Sequence, residues 1–116
     1  MAETIFKTYF LSPNNNDISV ELNIRPPQDY KAKSTLKFDG QVIKKEGNFT
    51  YVPGSEESIN GKSLKIYSTV WDTDKYSNNA FLDITVRGGE IEETYNLDGE
   101  SDVNGGVINF FAEIAF

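Results

Sequence analysis

This chain of 116 residues contains no cysteine and no histidine. The first absence excludes a disulfide framework, a thiolate metal site and a thiol nucleophile. The second removes the usual general base, the usual zinc ligand and the usual switch near neutral pH. Long apolar runs are missing as well, and no segment approaches the roughly 18 residues of a membrane span. The opening "MAETIFKTYFLSPNNND" is interrupted by Glu3 and Lys7 and has no basic head before an apolar run, so it does not read as a secretory signal. Met1 at the first position argues against a domain cut from a longer precursor. The expected location is cytoplasmic, or outside the cell without a conventional signal peptide.

Positive charge is scarce. Eleven basic residues face eighteen acidic ones, for a formal net charge of −7. Such a field repels phosphate backbones and anionic lipid heads, so nucleic acid is not an expected partner. The only close basic pairs are Lys31 with Lys33 and Lys44 with Lys45, which reads as no basic patch.

What the chain does have is a period of two. In "ISVELNI", Ile18, Val20, Leu22 and Ile24 share one face while Ser19, Glu21 and Asn23 share the other, the mark of a half-buried strand. "SLKIYSTVW" repeats the pattern with Leu64, Ile66, Ser68 and Val70. "GVINFFAEIAF" repeats it with Ile108, Phe110, Ala112, Ile114 and Phe116. No window has sustained helical spacing, so no helix longer than about two turns is expected.

Turn chemistry supports the same reading. Asp39-Gly40 separates two alternating runs, and a tight primed turn needs positive φ at both central residues. That loop pairs Leu36 with Ile43 on one face and Lys37 with Val42 on the other. Gly88-Gly89 suggests a second two-residue loop, pairing Val86 with Ile91, Leu82 with Tyr95 and Ala80 with Leu97, with Arg87 facing Glu90. Breakers at "SPNNND", "RPPQD", "EGN", "PGSEESINGKS" and "DTDKYSNN" delimit eight or nine short strands, spaced about a dozen residues apart. The predicted fold is all-β: one domain over 1–116, an antiparallel β-sandwich of about eight strands, jelly-roll or immunoglobulin-like. A chain of this length should bury about two thirds of its extended surface.

Three groups of residues are candidates for function. "LDGESDVNGG" carries an oxygen ligand at every second position: Asp98, Glu100, Asp102 and Asn104. Calcium takes six to eight oxygens, often from alternate side chains of a loop. "WDTDKYSNN" offers Asp72 and Asp74 from a second loop, and "NNND" at 14–17 could be a third. The competing reading is that Asp, Asn and Gly are simply what turns prefer. The same second loop has a sugar-binding composition: Trp71 and Tyr76 to stack, Asn78 and Asn79 to hydrogen-bond. The competing reading is a half-buried Trp satisfied by backbone.

The third candidate is an interface. The last strand carries Val107 and Phe111 on the side away from its core residues, which marks either a central strand or a surface for association. Most phenylalanines are expected in the core. Glu56-Glu57 and Glu92-Glu93 cannot act as catalytic pairs, because neighbours on a strand point to opposite faces. Glu93 is expected to face inward opposite Ile84. "NFT" at 48–50 matches a glycosylation acceptor by chance. The leading expectation is a non-catalytic module that self-associates or docks to a protein. The alternative is a carbohydrate-binding module, with or without calcium, using 71–79 and 98–104.

Overall fold

In a computed structural model, which describes residues 2–25, 30–72, 79–100 and 106–116 with backbone alone at 2, 30 and 72, the period of two becomes nine strands. They are β1 (Ala2–Thr8), β2 (Asp17–Arg25), β3 (Tyr30–Phe38), β4 (Gln41–Glu46), β5 (Phe49–Ser55), β6 (Ser63–Asp72), β7 (Asn79–Arg87), β8 (Glu93–Glu100) and β9 (Val107–Ala115). One short helix, α1 (Glu56–Ile59), lies between β5 and β6. Two sheets pack face to face, in the orders β1-β9-β6-β3-β4 and β5-β2-β7-β8. The inward rows are those the alternation predicted. Ile18, Val20, Leu22 and Ile24 of β2 meet Leu64, Ile66 and Val70 of β6 and Ile108, Phe110, Ala112 and Ile114 of β9 in one core.

Only β3–β4 and β7–β8 are neighbours both in the sheet and in sequence; the other connections between described strands cross from one sheet to the other. Eight of the nine strands pair antiparallel, but β1 runs parallel to β9, from Ala2 beside Asn109 to Thr8 beside Ala115. A parallel pair cannot be joined by a tight turn. Here the partners come from opposite ends of the chain, so no direct connection is required.

The Asp39-Gly40 hairpin has the predicted register, Leu36 opposite Ile43 and Lys37 opposite Val42, with φ of 49° and 79° at the two turn residues. The second hairpin does not. Val86 pairs with Glu93, Leu82 with Leu97 and Ala80 with Gly99, two residues away from the predicted register. Glu93 therefore stands half-buried opposite Val86, not Ile84, and Ile91 is exposed. The cause lies eighty residues upstream. The buried Tyr9 hydroxyl accepts the Gly89 N–H and donates to the Ile91 carbonyl, and the Glu90 N–H donates to the Phe10 carbonyl. These bonds hold 88–92 open as a longer loop. A slip of two keeps every side chain on its predicted face, because the strand period is two.

On one side the edge strands are β1 and β8, linked where the Asp98 N–H donates to the Glu3 carboxylate at 2.7 Å. On the other side β4 and β5 are edge strands. β5 carries Pro53 and a bulge in which Val52 and Pro53 stand opposite Ser19, while β4 carries Lys44, Lys45 and Glu46. Proline, bulges and charge are devices that discourage strand addition at an edge. Beyond Phe49, the Asn48 side-chain oxygen takes the Ile24 N–H at 2.9 Å where backbone pairing has ended. The asparagine of the "NFT" match is thus a structural acceptor.

The phenylalanines divide evenly, against the expectation that most are core. Phe38 and Phe110 are buried and Phe49 and Phe116 pack against the core. Phe81 and Phe111 are half-buried on outer rows, and Phe6 and Phe10 are exposed.

Candidate functional site

The oxygen-rich stretch that suggested a cation begins inside a strand. Asp98 and Glu100 are exposed positions on the outer row of β8, with Asn79 at the start of β7 opposite Glu100. Asp72 ends β6, where its backbone pairs with Tyr30. Asp74, Asp102 and Asn104, and with them Tyr76 and Asn78, lie outside the described residues. Among the described residues no three acidic side chains come together in a way that could hold a metal ion.

The "NNND" loop is engaged in structure instead. Asn15 accepts the Glu57 N–H with its side chain, and the Asn16 side chain donates to the Gly88 carbonyl. The buried Glu56 carboxylate accepts the Ser12 N–H, the Ser12 hydroxyl at 2.7 Å and the Asn16 N–H at 2.9 Å. Burial pushes this carboxyl up, but the hydrogen bonds from Ser12 and Asn16 outweigh it and hold the group below its ordinary range.

Trp71 is a half-buried outward residue near the end of β6, flanked by Lys31 of β3 and Val107 of β9. It helps line an open cleft of about 600 Å³ at one end of the sandwich, with Ile24, Lys33, Glu46 and Asn48. Trp71 thus faces a space of the size small ligands occupy. Among the described residues, the charged groups beside it there are Lys31, Lys33 and Glu46.

The most distinctive surface is the outer face of the five-stranded sheet. Strand pairing sets side chains from different strands beside one another, and the rows can be followed across the sheet. One runs Thr4, Phe111, Tyr67, Thr35, Lys44, and the next runs Phe6, Glu113, Lys65, Lys37, Val42. On the β1–β9–β6 side the rings of Phe6 and Phe111 meet edge to face at 5.9 Å, and Tyr67 tilts onto Phe111 at 4.7 Å. Aromatic pairs at such separations are favourable beyond their area. Val107 continues the apolar side and is exposed.

The other side of this face is cationic. Among the described residues, Lys31, Lys33, Lys37, Lys44 and Lys65 occupy outward positions on this face, against Glu46 and Glu113. Lys33 approaches Glu46 at 3.8 Å, and the Lys37 ammonium lies 5.3 Å from the Tyr67 ring centre. Lys37 stands directly opposite Lys65, an arrangement that disfavours the sheet by like-charge repulsion. The sequence reading that the basic residues form no patch is therefore overturned. "KAKSTLK" showed Lys31, Lys33 and Lys37 on one side of a strand, but Lys44 and Lys65 join them only through pairing with β4 and β6. Phe6 and Tyr67 were missed for the same reason. The net charge still opposes nucleic acid, but scattered lysines no longer do.

The outer face of the four-stranded sheet has the opposite sign. Asp17, Glu21, Asp83, Asp98 and Glu100 sit on its outward rows with Arg25 and Arg87. Arg25 bonds Asp83 through two nitrogens, and Arg87 bridges Glu92 and Glu21. These carboxylates raise both guanidinium pKa values further, through Asp83 for Arg25 and Glu92 for Arg87. No protein-family profile, curated protein or solved structure matches this chain.

Proposed function

We propose that this chain is a non-catalytic binding module that self-associates, using the outer face of the five-stranded sheet as its recognition surface. The observation that carries the reading is the contact of Phe6, Phe111 and Tyr67 on the solvent side, with Phe6 66% exposed. A contiguous aromatic group beside a charged margin has the anatomy of an association surface: an apolar centre with a polar rim. Isolated exposed apolar residues need no such explanation, but three rings joined through Phe111 do. No helix among the described residues is long and apolar enough to cross a membrane, so these rings are not read as part of a helical span.

The test is sedimentation velocity at tens of micromolar protein. The wild type should run as an assembly and Phe111→Asp as a monomer with an unchanged circular dichroism spectrum. A wild type that is monomeric throughout would defeat the proposal.

One observation favours a second reading, carbohydrate binding: the cleft of about 600 Å³ that Trp71 lines together with Asn48 and Lys31. This version needs neither calcium nor the acidic loops. Trp71 fluorescence should then change on at least one member of a glycan panel, and the response should disappear in Trp71→Ala. A silent panel removes this reading and leaves the first untouched.

A further inference from the structure

The two outer faces of this sandwich carry opposite charge, and from that we infer the geometry of assembly. We propose that the occupant of the aromatic–lysine face is a second copy of this chain, presenting the outer face of its four-stranded sheet. The inference rests on the self-association reading above and adds which surface of the partner copy is used.

The argument is one of complementarity. Among the described residues the five-stranded sheet shows five outward lysines against two carboxylates. The four-stranded sheet shows five outward carboxylates against two arginines. Two copies meeting through their five-stranded sheets would bring ten lysines into one interface, and like charges juxtaposed at an interface are strongly disfavoured. A five-stranded sheet laid on a four-stranded sheet instead sets lysines against carboxylates. The acidic face also has apolar surface to meet the rings: Phe81 is half-buried there beneath the Arg25 guanidinium, 5.0 Å from its ring centre. Lys31, Lys44 and Lys65 have no ion pair among the described residues, so their ammonium groups are available to a neighbour.

Using different patches on the two copies makes the contact heterologous, and such contacts propagate into rings or open stacks. The net charge of −7 acts against growth. Attraction between touching faces survives at a Debye length of about 10 Å in 0.1 M salt, and is largely screened at about 3 Å in 1 M salt. Short assemblies that disperse at high salt are expected.

The experiment uses two charge-reversed forms of the whole chain. Lys37→Glu/Lys65→Glu inverts the basic face and Asp17→Lys/Asp98→Lys inverts part of the acidic face. By sedimentation velocity in 0.1 M salt each should be monomeric alone, with association weakened at least tenfold. An equimolar mixture should assemble again, because each form supplies the surface complementary to the other. That recovery also shows that both forms are folded. The wild-type assembly should dissociate in 1 M salt.

The inference is overturned by an Asp17→Lys/Asp98→Lys form that assembles alone like the wild type, by a mixture that stays monomeric, or by an assembly indifferent to salt. If Phe111→Asp breaks assembly while the acidic-face reversal does not, the recognition surface stands and only the heterologous geometry fails. If the wild type never assembles, both fall.

Discussion

The Tyr9 hydroxyl accepts the Gly89 N–H at 2.9 Å and so joins the end of the first strand to a loop eighty residues later. The same oxygen donates to the Ile91 carbonyl at 2.6 Å. Tyr9→Phe keeps the ring in the core but leaves both backbone groups without this partner. The expected loss is about 1–3 kcal/mol, read from the urea midpoint at an unchanged slope. Burial, partly offset by the Gly89 hydrogen bond, holds the Tyr9 phenol above its ordinary pKa. Its contribution is therefore complete below about pH 10 and lost as pH rises through the folded value. Tyr9→Phe should flatten the alkaline side of the stability profile, and an equal alkaline slope in both proteins would count against this role.

Gly88 and Gly40 both have positive φ, 103° and 79°. A Cβ on Gly40 would meet open space, so Gly40→Ala should cost about 1 kcal/mol through conformation alone. A Cβ on Gly88 would overlap the Asp17 carbonyl oxygen, which is backbone and cannot swing aside. Gly88→Ala should be the more damaging by several degrees of melting temperature. Equal melting temperatures would show that the 88–92 loop is not packed against β2 as described.

Ser34 and Ser68 form a buried cross-strand pair inside the five-stranded sheet, with their hydroxyl oxygens 2.7 Å apart. Removing one hydroxyl leaves the other without its partner in the core, at a cost of about 1–2 kcal/mol. Removing both should cost less than the two single losses together. A double-mutant cycle measured by chemical denaturation gives the coupling, expected at about 0.5–1 kcal/mol. Strict additivity would mean that the hydroxyls find other partners.

Glu56 is buried, yet its carboxyl is held below the ordinary range: burial acts upward, and the Ser12 and Asn16 hydrogen bonds act downward more strongly. The unfolded chain therefore takes up the proton first. The stabilisation is present above the unfolded value of about 4.3 and is lost as pH falls through the lower folded value. Glu56→Gln should melt below the wild type at pH 7, and the gap should narrow toward pH 3. A gap independent of pH would assign the effect to packing rather than charge.

Much of the fold was legible residue by residue. Alternation in "ISVELNI", "SLKIYSTVW" and "GVINFFAEIAF" identified which side chains turn inward, because a strand's period of two is a local property of the backbone. Asp39-Gly40 specified its own hairpin, because positive φ at both turn residues is a requirement met within the turn. The outward position of Val107 and Phe111 followed from the same alternation.

Tertiary structure decided everything that depends on which strands become neighbours. Tyr9 set the register at 86 and 93, and no property of "RGGEIEE" could announce a phenol from another part of the chain. Phe6 joined Phe111, and Lys65 joined Lys37, because β9 pairs with β1 and β6 pairs with β3. Alternation says which way a side chain points and is silent about what stands beside it. The charge and aromatic content of a sheet face belong to strand order, which is settled by packing two sheets around one core.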